Sequence, residues 1–321
     1  MTKNNFKKTK IIFFGTPKFG ADILNKLNDH FSIQAVITTP DTKKRNGKII
    51  KTPVKRLAQN KNLVIFQPLK LKNNEKLKNK LLKLDPDFFV VASYGLIIPK
   101  KILEIPNFAP LNIHPSLLPK YRGACPIRAA IKNDDELTGV TIIKMDQKLD
   151  HGPIYKQEKL KIKSDYDYKK LKMELLNLSK ELIVKTIKDI LQKNIKSTPQ
   201  NHKKASYTHK LCKKDGKINW DQDAQKIKKL IQAYCIKPGS YTKIHLPKTK
   251  LHNNILKIFK TNIFKKSGPT GKIFLTNNNW PGVYCKENAL ILEKIQLPGK
   301  NIVSGKDLYN GHNIIKKAKL K

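Results

Sequence analysis

Asp87-Phe88-Phe89-Val90-Val91-Ala92 sets five non-polar residues in a row between an aspartate and Ser93. A strand with one solvated face alternates. An unbroken run of this length therefore reads as a strand covered on both faces, as in the centre of a parallel sheet. Working outward, Lys10-Ile-Ile-Phe-Phe14 is a second such run, ending at Gly15. Phe19, Ile23 and Leu27 follow it at the four-residue spacing of one helix face. Residues 33–37 and 63–66 read as further strands, and 75–84 as a helix. Residues 53–59 read as a helix with a proline in its first turn. On the other side, residues 111–114 and 139–145 continue the strand series. This β-α alternation predicts an α/β fold, a Rossmann-like, doubly wound parallel sheet. A long helix over 168–191 follows, with Leu171, Leu175, Leu178, Leu182 and Ile190 on one stripe.

Past residue 193 the pattern changes. Residues 194–206 are polar and contain a proline, the composition of a linker. A helix near 224–233 and short β-like runs at 240–245, 254–259, 270–275, 282–285 and 289–296 come next. Gly, Pro and Asn punctuate the runs, which predicts a smaller, OB-like β-barrel. The expected division is a domain over 1–193, a linker over 194–206 and a second domain over 207–321.

The 321 residues carry 66 Lys+Arg against 24 Asp+Glu, a formal net charge of +42. That length is ample for a core without disulfide or metal staples. Only four of the 66 are arginine, namely Arg45, Arg56, Arg122 and Arg128, so part of the charge reads as compositional bias toward lysine. A pI of about 10.0 nonetheless favours a polyanionic partner over a merely solvated surface. Residues 206–321 carry +18 over 116 residues and residues 1–205 carry +24 over 205, so the second part is the more densely charged. No apolar run approaches the ~20 residues of a membrane span. Residues 1–10 are polar and basic, without the apolar segment of a secretory leader. The expectation is a cytoplasmic protein that binds no membrane. The four cysteines and eight histidines match no zinc-finger, CxxC or HExxH spacing, so reduced thiols and no metal are expected.

Two glycine motifs mislead. Gly15-Thr-Pro-Lys-Phe-Gly20 follows a strand but lacks the dinucleotide spacing, and reads as a turn with close helix–strand packing. Gly268-Pro-Thr-Gly271-Lys272-Ile273 lacks the Ser/Thr and first Gly of a phosphate loop, and reads as a turn between strands. The informative block is Asn112-Ile-His114-Pro-Ser-Leu-Leu-Pro-Lys-Tyr-Arg122-Gly-Ala-Cys-Pro-Ile-Arg128. Asn112 and His114, two apart in an extended chain, point to one side. Pro115 keeps His114 extended. They lie at a strand end, where open α/β sheets bind ligands. The segment Met145-Asp146-Gln-Lys-Leu-Asp150-His-Gly152 offers a carboxylate to face His114. Histidine handles a proton near neutrality, aspartate orients the ring and favours its charged form, and asparagine donates to an oxyanion. Cys125 is the nearby thiol, read as packed, so the set suits direct attack of a substrate nucleophile on a carbonyl. Two of the block's three basic residues are arginine in a lysine-rich chain, which points to a need for the planar five-donor fork.

The stretch Asn112-Ile-His114-Pro-Ser116-Leu117-Leu118-Pro119-x-Tyr-Arg122-Gly resembles the signature of the folate-dependent formyltransferase family. Phe14-Gly-Thr-Pro, Asp85-Pro-Asp87, Ser93-Tyr-Gly-Leu-Ile-Ile-Pro99 and Leu149-Asp150-x-Gly152 fall in the family's order. Tyr207-Thr-His-Lys-Leu211, Gly216-x-Ile218-Asn-Trp220 and residues 282–284 extend the resemblance to the branch acting on methionyl-tRNA, over nearly the whole chain. The resemblance implies formyl transfer from 10-formyltetrahydrofolate to the α-amine of initiator methionyl-tRNA, by a monomer that needs no metal. It implies Asn112, His114 and Asp150 as the catalytic group. Ser116, Leu117, Leu118 and Pro119 would lie against the folate, and the loop 39–51, with Lys43, Lys44 and Arg45, would contact tRNA. Three residues depart from the family pattern: Tyr121 stands for a Trp, Lys148 for a Gly, and His151 for a small residue. The last two imply an altered loop around Asp150. Formylation of a sugar-nucleotide amine or of glycinamide ribonucleotide, or hydrolysis of the formyl-folate, would use the same first domain without the basic second one. An RNA-binding protein on a silent scaffold would not keep Asn112, His114 and Asp150.

Overall fold

The computed structural model of the chain describes residues 6–44, 46–249, 251–311 and 317–321. The elements run β1 (Lys10–Gly15), α1 (Lys18–His30), β2 (Ser32–Ile37), β3 (Thr42–Lys43), β4 (Ile49–Ile50), α2 (Pro53–Asn60), β5 (Ile65–Phe66), α3 (Glu75–Lys83) and β6 (Phe88–Ala92). Then come α4 (Lys100–Leu103), β7 (Ala109–His114), β8 (Arg122–Gly123), α5 (Pro126–Lys132), β9 (Leu137–Lys144), β10 (Ile154–Lys161), α6 (Tyr168–Leu191) and β11 (Tyr207–Thr208). The remainder is α7 (Ala224–Ala233), β12 (Ser240–His245), β13 (Ile255–Phe264), β14 (Ile273–Leu275), β15 (Pro281–Tyr284), β16 (Ala289–Gln296), β17 (Val303–Ser304), α8 (Gly305–Gly311) and β18 (Lys319–Leu320). The chain packs into two units, each discontinuous in sequence. The first reaches to Gly123 and takes in Thr138–Leu160 and Met173–Tyr207; the second holds Ala124–Leu137, Lys161–Lys172 and the chain from Thr208 onward.

The first unit is built on a sheet of order β10-β9-β7-β6-β1-β2-β5. Strands β5, β2, β1, β6 and β7 are parallel, and every residue of β6 is buried. Helices cap cleanly where the sequence supplies the group: Thr52 Oγ1 accepts from Lys55 N at α2, and Asn74 Oδ1 from Leu77 N at α3. Gly15 and Gly20 are packing glycines. A Cβ on Gly20 would sit 2.8 Å from the Ala92 carbonyl oxygen, and one on Gly15 2.6 Å from the Phe13 ring.

One strand departs from the expected parallel series: β9 runs antiparallel to β7, pairing His114 with Thr141 and Leu111 with Lys144. The chain re-enters the sheet at the end of β7 where it left, since β9 pairs first with His114 and then runs back to Leu111. Edge strand β10 also escapes the sequence reading, because Ile154–Lys161 is mostly polar and partly exposed, as edge strands are. Residues 194–206 belong to the first unit. Thr198 and Ile154 exchange two backbone hydrogen bonds of 2.8 Å, and Gln200 is buried.

The second unit centres on an antiparallel sheet of order β14-β15-β16-β13-β12-β18, with β17 beside β16. It curls. Lys272 bridges to Lys319, and Leu320 N donates to the Gly271 carbonyl at 2.8 Å, at opposite ends of that strand order. Alternate residues of β13 and β16, including Leu256, Ile258, Leu290 and Leu292, form its core with Ile227 and Ile231 of α7. Gly268 and Gly271 lie in the turn between β13 and β14, and Gly271 takes φ +75°, as a turn requires.

Candidate active site

Strand β7 fixes the first two groups. Asn112 and His114 leave the same face, Asn112 half-buried and His114 buried. Because β9 is antiparallel, it ends low on β7, with Met145 N donating to the Pro110 carbonyl at 2.8 Å. The loop after it must turn back to reach His114. Gly152 permits this, since a Cβ there would lie 1.8 Å from the Lys144 carbonyl oxygen. Lys144 N donates to the Pro153 carbonyl at 2.9 Å and closes the turn. Asp150 sits at φ +49°, a left-handed position that aspartate tolerates better than most residues.

Asp150 is the hub. Its Oδ1 accepts from Asn112 Nδ2 at 3.1 Å, and its Oδ2 from Gly123 N at 2.8 Å. Oδ2 also lies 3.5 Å from His114 Nδ1, with both side chains at most 10% exposed. His114 Nε2 is 2.9 Å from the Tyr121 carbonyl oxygen. A carbonyl only accepts, so Nε2 carries the proton, and in the neutral ring Nδ1 presents its lone pair toward Asp150. The Asp150 carboxylate thus faces the ring at Nδ1 and the Tyr121 carbonyl meets it at Nε2. Tyr121 adopts φ +63°, unusual for an aromatic residue and costing about 1–2 kcal/mol. Its N donates to Ser206 Oγ at 2.9 Å, holding that conformation.

A second layer grips the Asp150 loop. Arg122 is 2% exposed. Its Nε and Nη2 donate to Gln200 Oε1 at 3.2 and 2.7 Å, Nη2 lies 2.8 Å from His202 Nδ1, and Nη1 reaches Tyr207 Oη at 3.3 Å. Gln200 Nε2 in turn donates to the Asp150 and Gly152 carbonyls at 2.9 and 2.7 Å. On the loop itself Asp146 accepts from Lys148 N at 2.9 Å, and its other oxygen lies 2.6 Å from His151 Nδ1. The His151 ring stacks on His202, with centroids 4.0 Å apart and planes at 4°. Lost solvation, then the positive charges of His151, Arg122 and Lys148, hold His202 below its ordinary value of 6.5. A neutral His202 is what Arg122 needs, since only an unprotonated Nδ1 accepts its hydrogen bond. Lys148 is not in the left-handed region, so no glycine is required there, and His151 supplies a stacking face. Gln200 and His202 escape the sequence reading because they fall in a stretch with the composition of a linker. The one signal is the retained Arg122, whose five donors demand acceptors.

The other expected residues are placed as follows. Ser116 and Leu118 are buried: Ser116 Oγ donates to the Lys120 carbonyl at 2.6 Å, and Leu118 N to Thr141 Oγ1 at 3.1 Å. Leu117 and Pro119 are half-buried. Lys43 and Lys44 are exposed on a hairpin of β3 and β4, closed by Lys44 N to the Lys48 carbonyl at 2.9 Å. Arg45 lies outside the described residues. Cys125 belongs to the second unit, where burial pushes its thiol above the usual 9.0, which depletes the nucleophilic thiolate. Arg128, in the same unit, donates to the Ala233 and Lys237 carbonyls and lies 4.0 Å and 5.3 Å from the Tyr168 and Tyr234 ring centroids. Both arginine forks are thus spent on internal partners.

Among the described residues this arrangement sets an imidazole beside a carboxylate and an amide donor in one cluster. Residues 8–187 match the family described as formyl transferase, and residues 210–313 its C-terminal domain family. A methionyl-tRNA formyltransferase of Dictyoglomus thermophilum is 38% identical over 95% of this chain and 97% of its own. One from Clostridium acetobutylicum is 36% identical over 97% and 99%. Among solved structures, an N-formyltransferase from Helicobacter canadensis in complex with folinic acid and dTDP-3-aminofucose covers 88% of this chain and 98% of its own, at a TM-score of 0.65 and 19% identity. The chain belongs to the formyl transferase family, in the group of the methionyl-tRNA formyltransferases.

Proposed function

We propose that the chain transfers the formyl group of 10-formyltetrahydrofolate to the α-amine of methionine on initiator methionyl-tRNA, for translation initiation. The observation that carries the reading is Asp150 reaching Asn112, His114 and the Gly123 amide in one buried cluster. The amine nitrogen attacks the formyl carbon, and the carbonyl electron pair moves onto oxygen. Asn112 Nδ2 has two protons; one is given to Asp150 and the second serves the oxyanion. His114 Nδ1 takes the amine proton, and Asp150 balances the resulting imidazolium. The oxyanion then re-forms the carbonyl, the bond to the folate nitrogen breaks, and that nitrogen takes the proton held by His114, which releases tetrahydrofolate and restores the neutral ring. No covalent enzyme intermediate is formed.

Ser116, Leu117, Leu118 and Pro119 form the wall against the folate, Ser116 and Leu118 by shaping the turn from inside. Lys43, Lys44 and Arg45 contact the tRNA, as does the second domain, 207–321, in the manner of an OB-like barrel. The catalytic domain, expected over 1–193, takes in 194–206 as well, since that stretch packs with the first unit and its Gln200 holds the Asp150 loop. The protein works as a monomer in the cytoplasm and needs no metal for this reaction. No helix among the described residues is long and apolar enough to cross a membrane. The deciding assay supplies formyl-folate with charged initiator or elongator methionyl-tRNA and follows N-formylmethionine. Formylation restricted to the initiator supports the reading. Formylation of a sugar-nucleotide amine in its place overturns it.

A further inference from the structure

Among the described residues outside the candidate active site, one cluster combines three metal-ligating chemistries. His209, Cys212 and Asp215 belong to the second unit, and one ligand atom from each lies within 4.8 Å of the others. We propose that they form a binding site for a thiophilic divalent cation of the zinc class, with an open position for water.

Geometry comes first. Cys212 opens a three-ten turn, Lys213–Gly216, in which residues three apart eclipse one another. Cys212 caps that turn and Asp215 lies within it, three residues on, while His209 sits in the irregular segment before it and joins the group through its side chain. Asp215 already organises the group. Its Oδ1 lies 3.0 Å from His209 Nε2, and its Oδ2 accepts from Cys212 N at 2.8 Å. Tetrahedral coordination at about 2.0–2.3 Å sets ligand atoms roughly 3.3–3.8 Å apart. Closing the difference takes about 1 Å, which the His209 side chain, 76% exposed, supplies by rotation.

Chemistry selects the ion. Lys210, Lys213 and Lys214 flank the cluster and repel a hard cation held by charge alone. A thiolate and a carboxylate neutralise a divalent ion, and the thiolate adds bonding that Mg²⁺ and Ca²⁺, which take oxygen ligands, do not use. Binding replaces the thiol proton with the metal, so one proton leaves per ion. His-x2-Cys-x2-Asp matches no zinc-finger spacing, so motif reading alone predicts no metal; the three-ten turn and the His209 side chain bring the set together. The ion would tie His209 to the turn that follows it.

The test titrates Co²⁺ into the reduced, chelator-treated full-length protein and follows thiolate-to-cobalt charge-transfer absorption and proton release. The expected result is saturation at one ion per chain with about one proton released. Zn²⁺ should displace the cobalt and Mg²⁺ should not. Cys212→Ser should abolish the absorption, while His209→Ala and Asp215→Asn weaken binding by at least about tenfold. Cys125→Ser, altering the thiol beside the Leu211 backbone, should leave it unchanged. Absence of the band in excess Co²⁺, or a band that survives Cys212→Ser, overturns the proposal. Far-UV circular dichroism checks folding of each variant, and if Cys212→Ser misfolds, the exposed His209→Ala carries the test: unchanged cobalt affinity there is equally fatal.

Discussion

Two histidine–aspartate pairs occupy different regions of the molecule. In the first unit His114 and Asp150 lie 3.5 Å apart with side chains 5% and 10% exposed; in the second, His209 and Asp215 lie 3.0 Å apart with side chains 76% and 13% exposed. The exposed pair is the closer. Distance alone therefore does not rank the two as candidates for chemistry. What separates them is the fate of every other polar atom. Around Asp150 each oxygen has a defined donor, the His114 ring is fixed at Nε2, and the loop is gripped from Gln200 and His202. A buried charge among fixed dipoles acts in a medium that screens it weakly, whereas an exposed imidazole is screened and free to turn. The exposed pair is suited to capture by a metal, the buried one to a reaction.

The sharpest test exchanges each carboxylate for its amide. Asp150→Asn removes the carboxylate facing Nδ1, and kcat for formylation is expected to fall by ~10³ or more, as loss of the carboxylate paired with the histidine does in Ser-His-Asp triads. Asp215→Asn is expected to leave kcat within about twofold, since Asp215 lies outside the Asp150 cluster and in the other unit. Equal losses in the two variants would erase the distinction. Asn112→Ala follows, with kcat down by ~10²–10³ and KM little changed, the usual cost of losing an oxyanion donor. A raised KM at normal kcat would make Asn112 a binding residue.

Next, Lys43, Lys44 and Arg45 changed together to Ala should weaken tRNA binding and flatten its log–log salt slope by up to ~0.7–0.9 for each phosphate that is no longer neutralised, with folate binding unaffected. Unchanged kcat/KM at low and high salt would leave the hairpin a solvated surface. A smaller effect attends the histidine stack. The His202 value in the folded chain is lowered from 6.5, so its neutral form contributes above about pH 6.5 and that contribution is lost as pH falls through the folded value. Ring NMR should place the His202 midpoint below 6.5, and Arg122→Lys, which removes a charged neighbour's fork but keeps a cation, should weaken activity more at low pH than at high. A midpoint above 6.5 would contradict the acceptor role at Nδ1. Smallest of all, Cys125→Ala should retain most activity, and mass spectrometry under turnover should find no formylated cysteine.

Much of the architecture is local information. The five buried residues of β6, the Thr52 and Asn74 caps and the full span of α6 follow from periodicity and capping chemistry that a dozen neighbouring residues express. The second unit reads as short strands for the same reason, although β13 is longer than its apolar signal, running on to Phe264 through exposed positions.

Four features are legible in the chain before it folds: the α/β character, the Asn112–His114 pair on one face, a carboxylate at Asp150, and a need for arginine forks at 122 and 128. Three others exist only in the folded molecule: the antiparallel sense of β9, the proton on His114 Nε2, and the grip of Gln200 on the Asp150 loop. The difference is one of range. Strand alternation and motif spacing are fixed by bonds between near neighbours, whereas Arg122 meets Gln200 across 78 positions and Gln200 meets Asp150 across 50. No local pattern encodes a partner that distant; burial, and the demand that every buried donor find an acceptor, select it only once the chain has folded.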